Sequence, residues 1–287
     1  MLDQTQFEQG LRRILWTLRD YLDDLTIIGG WVPHLYRRYG GFTQWSSELS
    51  RTGEVDVLVP GPLAAGARPP ISKLLAEAGF VPTAEARAAA VWEKDPVAGE
   101  SIEFLVRHQG TARQIGQTTI VAGQSGLGAI ALTEMDLQMK HVTTLRVPVT
   151  RDQRVDALEI RVPTLGAYIV TKSATFVRRR PIVEHGITRG NPKAGKDLVY
   201  IRDLMAAGDE VTGRIRADLA RLQKDSKGSR RYLETAQARL TEILGSDPQG
   251  IIELAARELA ERDRLTLGAA RASIVGYLTD GAEMLGA

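Results

Sequence analysis

Thr26-Ile27-Ile28-Gly29-Gly30-Trp31 and, after a polar interval, Arg51-Thr52-Gly53-Glu54-Val55-Asp56-Val57-Leu58-Val59 decide the reading of this chain. A short apolar run ends in a glycine pair; a second carries two acids, two residues apart. Side chains alternate along a strand, so Glu54 and Asp56 point to one side and Val55 and Val57 into a core. Two carboxylates at that spacing repel unless a cation sits between them. A hard divalent cation with oxygen ligands, Mg2+ first or else Mn2+, is the natural occupant. The glycine pair, opening a helix, lets backbone N–H groups approach a phosphate, with the helix N-terminus facing its charge. A phosphate cradle beside a carboxylate pair suits a metal–nucleoside triphosphate, so the pattern points to phosphoryl or nucleotidyl transfer.

A third acid fits the pair. In Ile102-Glu103-Phe104-Leu105-Val106 the apolar Ile102, Phe104 and Val106 share one face and Glu103 takes the other. An acid in so apolar a strand is costly to bury without a partner. If that strand lies beside Glu54–Val59, three carboxylates converge and can hold two metal ions. Glu103 can then also accept a proton from the acceptor. Taken singly, each acid fits an amphipathic strand facing water better; taken together with the glycine pair, the three favour a site.

Two further groups carry charge in apolar surroundings. Lys172 and Arg179 are spaced to share a helix face, and a lysine there suits a phosphate as a point charge. In Lys196-Asp197-Leu198-Val199-Tyr200-Ile201, the stripe Leu198, Ile201, Leu204 and Met205 leaves Lys196, Asp197 and Tyr200 on the other side. Asp197 can orient Lys172 or Arg179 by a charge-assisted bond. The bland alternatives are a lysine snorkelling at a helix edge and an acid favoured by a helix N-terminus.

The whole chain bounds these readings. With 287 residues, 43% hydrophobic and 25% charged, it has room for a large core or two modest ones. A net charge of +2 gives no global case for nucleic acid, so a basic surface has to be local. Two local clusters exist, Arg178-Arg179-Arg180 with Arg189, Lys193 and Lys196, and Arg214 through Arg231. With no cysteine, disulfides, thiolate chemistry and cysteine zinc sites are excluded. The N-terminus does not read as a signal peptide and no apolar run approaches the roughly 20 residues of a membrane span, so a cytoplasmic protein is expected. Gly123-Gln124-Ser125-Gly126 lacks the second glycine of a nucleophile elbow and is set aside.

Periodicity predicts helices at Phe7–Leu25, Trp31–Tyr39 and Ile71–Gly79. It predicts strands at Leu25–Ile28, Glu54–Val59, Thr118–Val121 and Leu158–Val162, a hairpin of Val91–Lys94 with Ser101–Arg107, and a polar loop at Gly40–Gly53. After Pro163 six helices are expected, Leu165–Arg180, Lys196–Ala207, Glu210–Gln223, Ser229–Leu244, Gln249–Arg264 and Leu267–Leu285. The fold class is therefore α/β (α+β), with an α/β domain over residues 1–161 and a helical domain over 162–287.

Assembled, these residues resemble the DNA polymerase β-like nucleotidyltransferase superfamily, and within it the AbiEii-type nucleotidyltransferases, many of which are toxins of toxin–antitoxin systems. The resemblance rests on Gly29-Gly30, on Arg51-Thr52 leading into Glu54-Val55-Asp56, and on Glu103. It continues through Val162-Pro163, Lys172, Arg178-Arg179 and Lys196-Asp197-Leu198. It implies a mixed sheet flanked by helices, Mg2+, and transfer of a nucleoside monophosphate from a triphosphate to an acceptor. It further implies metal-binding roles for Glu54, Asp56 and Glu103 and a phosphate contact for Lys172. The chain departs from the pattern at Trp31, where relatives place serine or threonine, at Glu54, where aspartate is usual, and at Tyr200, where a second acid is common.

The expected acceptor is RNA, a tRNA end included, or a protein, with a cognate antitoxin as partner and no membrane. The alternatives are transfer to a small molecule such as an aminoglycoside, and a nucleotide- or partner-binding module whose chemistry has decayed.

Overall fold

The computed structural model of the chain describes residues 4–50, 52–83, 88–95, 100–109, 116–133, 135–151, 154–176, 182–184, 187–189, 191–247 and 250–287. They form two compact units, Met1–Gly40 with Arg51–Pro163, and Gly41–Ser50 with Thr164–Ala287.

The first unit begins with α1 (Gln4–Thr17), a single 3-10 turn at Arg19–Tyr21, β1 (Thr26–Ile28), α2 (Trp31–Tyr39) and β2 (Glu54–Val59). It continues through α3 (Ile71–Glu77), β3 (Val81–Pro82), β4 (Val91–Asp95), β5 (Glu100–Arg107), β6 (Thr118–Ile120), β7 (Gly128–Leu132), α4 (Asp136–Lys140), β8 (Val142–Arg151) and β9 (Arg154–Pro163). The strands make one mixed sheet in the order β3-β4-β5-β2-β1-β9-β8, with β7 also beside β5 and β6 beside β7. β2 runs parallel to β5 and antiparallel to β1, so it sits between the two segments whose residues matter most. Its Val55, Val57, Leu58 and Val59 are buried, as are Ile102 and Phe104 of β5. β4 and β5 form the expected antiparallel pair, with an irregularity between Glu93 and Asp95.

Of the apolar positions Phe7, Leu11, Ile14, Leu15, Leu18 and Leu22 that give the first predicted helix its periodicity, all but Phe7, whose side chain lies outside the description, are buried, but the helix stops at Thr17. The chain tightens into the 3-10 turn, which turns Tyr21 inward to donate its hydroxyl to the Pro69 carbonyl at 2.9 Å. The rejected elbow is a structural staple. Gln124 is buried, accepts from Ile71 N at 2.9 Å and donates to the Leu63 carbonyl at 3.1 Å. Periodicity did not anticipate β7, α4 or β8. β8 is a ten-residue edge strand, paired with β9 from Val142↔Pro163 to Arg151↔Arg154. Its edge position explains how Pro148, which has no N–H, fits within it.

The second unit comprises α5 (Leu165–Thr175), a two-stranded ribbon of β10 (Ile182–Glu184) and β11 (Ile187–Arg189), α6 (Pro192–Met205), α7 (Asp209–Asp225), α8 (Lys227–Gly245), α9 (Ile251–Asp263) and α10 (Leu267–Gly286). Hydroxyl caps start α5 at Thr164, α8 at Ser226 and α10 at Thr266, and Asn191 before Pro192 starts α6. Gly166 of α5 lies against α7, where an added Cβ would meet Asp218 Cβ at 2.7 Å, so a side chain there would force the helices apart.

The loop Gly41–Ser50 belongs to this helical unit although it lies in sequence between α2 and β2. Glu210 accepts from Thr43 N and Oγ1 at 2.9 and 3.1 Å, and Ser46 N donates to the Ala207 carbonyl at 3.0 Å. The mixed sheet flanked by helices and followed by helices is the fold class expected from sequence. Among the described residues, no helix is long and apolar enough to cross a membrane.

Candidate active site

β2 presents Glu54 and Asp56 on one face, and the parallel register sets Asp56 opposite Glu103 and Glu54 opposite Ser101. One carboxylate oxygen from each of Glu54, Asp56 and Glu103 lies within 4.8 Å of the others, and all three residues are half-buried. On the other flank, β1 places Ile28 opposite Asp56, and Gly29 follows with φ +70°. A Cβ on Gly29 would lie 1.7 Å from Asp56 Oδ2. The glycine therefore serves twice, turning the chain from β1 toward α2 and leaving the space that the carboxylate fills.

Gly30 caps α2 and, having no side chain, makes no side-chain capping bond of its own. The helix begins where Gly29 meets Asp56. A helix start beside a carboxylate group of this kind offers donors for phosphate oxygens next to acceptors for a cation. Trp31, in the place of the smaller hydroxyl residue, is buried, and its indole N–H has no acceptor among the described residues. Thr52 directs its hydroxyl to the Glu54 carbonyl at 3.3 Å. Arg51 lies outside the described residues. The three acids form a hard, all-oxygen donor set, which fits Mg2+ or Mn2+, and a cation would relieve their mutual repulsion.

In the helical unit, Lys172 of α5 places Nζ 2.6 Å from Asp197 Oδ1 of α6. The Lys172 side chain is 12% exposed and that of Asp197 2%, so this is a buried ion pair. Rings of Tyr168 and Tyr200 lie 5.7 and 5.3 Å from the same ammonium, and Lys196 Nζ is 5.8 Å from the Tyr200 ring. The expectation that Asp197 and Tyr200 face away from the buried stripe needs correction. Both are buried, because α6 is covered on more than one side, by α9 and by α5 and α10. Arg178, Arg179 and Arg180 lie outside the described residues.

On α7 and α8, Arg214, Arg216, Arg221, Lys224, Lys227, Arg230 and Arg231 are all exposed. Arg214 and Arg221 approach the buried Asp218 at 3.4 and 3.5 Å. Sequence reasoning did not find the contact between Gly29 and Asp56, nor the buried cluster around Asp203. The one signal for the latter was an acid inside the apolar stripe of α6.

Residues 13–220 match the sequence model of a family described as nucleotidyltransferase. No curated protein matches the chain. Among solved structures it is similar to the crystal structure of JHP933 from Helicobacter pylori, at 10% identity and a TM-score of 0.40, over 99% of this chain and 95% of that one.

Proposed function

The chain belongs to the nucleotidyltransferase family and is an enzyme; on that premise we propose that it moves a nucleoside monophosphate from a nucleoside triphosphate to RNA, a tRNA end in particular, in a Mg2+- or Mn2+-dependent reaction. The observation that carries the metal-dependent reading is the meeting of Glu54, Asp56 and Glu103 oxygens within 4.8 Å. A divalent cation at these three acids would offset the charge of the triphosphate as the reaction proceeds.

Each residue then has a task. Glu54 and Asp56 would hold the cation, and Glu103 would both contribute a ligand and take the proton of the attacking hydroxyl. The acceptor oxygen bonds to the α-phosphorus, the bond from that phosphorus to the β-bridging oxygen breaks, and pyrophosphate leaves. The backbone at Gly29-Gly30 receives phosphate oxygens, aided by Arg51 and Thr52. Lys172, oriented by Asp197 and joined by Arg179, supplies positive charge to the triphosphate.

The RNA acceptor is supported by the exposed cations of α7 and α8, which suit a phosphate backbone. A toxin role with a cognate antitoxin is the reading that the AbiEii resemblance favours, and the cytoplasm is the location expected from the sequence. The test is incubation with each α-labelled nucleoside triphosphate, Mg2+, total RNA and a panel of aminoglycosides. Label in RNA is the expected result. Label in a small molecule instead would replace the acceptor, and no label in any fraction would favour a binding module without transfer chemistry.

A further inference from the structure

The face of the sheet turned away from the three acids carries a cavity of its own. On β5, Glu100 and Glu103 stand three residues apart, so they point to opposite faces. Glu103 joins Glu54 and Asp56, whereas Glu100 is buried and meets Arg13 of α1 in an ion pair. α1 therefore packs on the face without the carboxylate cluster. Between α1, the end of α3, β4 and β8 lies a cavity of about 570 Å3, all of it within the α/β unit. That size is ordinary for a small-molecule site.

Its described lining falls into two sets. Trp16, Phe80 and Val149 supply rings and apolar surface, and Phe80 and Val149 are buried. Arg12, Arg13 and Lys94 are cationic, and none of the described lining residues is acidic. Each cation is tied down. Arg12 donates to the Tyr39 hydroxyl at 3.2 Å and has Glu8 at 3.7 Å, Arg13 has Glu100, and Lys94 donates to the Ala78 carbonyl at 2.9 Å. Glu8 and Glu100 offset two of the three charges, so the lining is positive on balance. Trp16 is held as well, since Arg19 donates to its carbonyl at 2.9 Å and lies 4.9 Å from the centre of its ring. Side chains already ordered lose little freedom when a ligand arrives, and a concave wall focuses their charge inward.

The lining selects a chemical class. A metal ion finds no carboxylate there, a purely apolar molecule would strip water from the cations without replacing it, and inorganic phosphate would leave the rings unused. A flat ring that carries an anionic group satisfies both sets, because an indole stacks on a base and guanidinium and ammonium groups bind phosphate.

We propose that this cavity is a second ligand site, separate from the carboxylate cluster and independent of metal. It takes a nucleoside monophosphate, with the base against Trp16 and Phe80 and the phosphate among Arg12, Arg13 and Lys94. The proposal stands on the lining alone and not on the transfer reading above.

The test is titration calorimetry of the full chain with AMP, GMP, CMP and UMP in EDTA, with thermal melting alongside to verify folding. At least one of the four should bind, at one per chain. Lys94→Met should raise its dissociation constant about tenfold, for the loss of a charge-assisted contact. Trp16→Leu should also raise it about tenfold, for the loss of a stacked base. Asp56→Ala, on the other face of the sheet, should leave it unchanged, and inorganic phosphate should bind far more weakly than the nucleotide. The proposal is overturned if none of the four binds, if phosphate binds as tightly, or if Asp56→Ala removes binding that both cavity variants keep. Should Trp16→Leu fail to fold, Lys94→Met decides. With neither metal nor triphosphate present, a negative result leaves the transfer reading standing.

Discussion

In the α/β unit, Glu54, Asp56 and Glu103 meet on one face of the sheet with ligand oxygens within 4.8 Å of one another. In the helical unit, the buried Asp197, Asp203 and Asp218 each meet a basic group, at 2.6, 2.6 and 3.4 Å. The first arrangement gathers like charges and the second neutralises them. Two carboxylates that close repel by roughly 3 kcal/mol at an effective dielectric near 20, a cost that no fold needs for its own sake. The neutralised pairs bring directed bonds between elements instead. The first arrangement is the one the proposed metal-dependent reaction would use, and the second ties chain segments together.

The sharpest way to break this contrast is Asp56→Ala. Transfer should fall by roughly a thousandfold or more, since a metal ligand is lost. The melting temperature without metal should hold or rise, because one member of a repelling cluster is gone. Near wild-type transfer by the purified variant would remove the metal site from the account.

Gly29→Ala should come next. Its Cβ would stand 1.7 Å from Asp56 Oδ2 at a φ of +70°, so the Asp56 carboxylate has to move. Transfer should drop by about a hundredfold, and stability by about 1–2 kcal/mol for the left-handed residue alone. An active Gly29→Ala enzyme would show that the position of Asp56 is not critical.

Lys172→Met tests the other unit. Removing the Lys172 ammonium from the buried Asp197 should cost about 3–5 kcal/mol of stability. Triphosphate with Mg2+ should raise the wild-type melting temperature, a stabilisation of about 2.7 kcal/mol at a hundredfold excess over the dissociation constant, and do little for the variant. Lys172→Met/Asp197→Leu should recover stability but not that response. If the double variant responds as wild type does, Lys172 is structural only.

The smallest effect concerns Glu258, whose carboxyl is pushed above its ordinary range by burial, with Lys196, Ser50 and Arg262 pulling the other way. A carboxyl with a raised folded-state pKa penalises the folded state once it ionises. The penalty is full above the folded value and gone below the ordinary 4.5. Glu258→Gln should therefore raise the melting temperature by about 1–3 °C at pH 8, and the advantage should vanish as the pH falls to 4.5. A constant difference across that range would assign it to packing.

Much of the fold was legible because the signals are local. Trp31–Tyr39 and Glu54–Val59 occupy the residues that periodicity assigned them. The six helices expected after Pro163 all start within four residues of their expected positions. β8 escaped notice because an edge strand needs one partner, tolerates Pro148 and lacks the continuous apolar run of a central strand. The burial of Asp197 and Tyr200 escaped notice for a different reason. A single stripe describes a helix covered on one side, and α6 is covered on several.

By itself the sequence determined many of the segments that become strands and helices, and which face of its own strand each acid takes, since alternation acts over a few residues. Only the tertiary structure decided that β5 lies parallel beside β2 with Asp56 opposite Glu103, and that the missing side chain of Gly29 is the room Asp56 occupies. It alone also decided that Ser47 and Ser50 are held by Asp203 and Arg262. These pairings join segments from about 25 to more than 200 residues apart. Nothing within either partner's neighbourhood specifies the other, because the choice is made by the fit and desolvation of whole surfaces as the core closes.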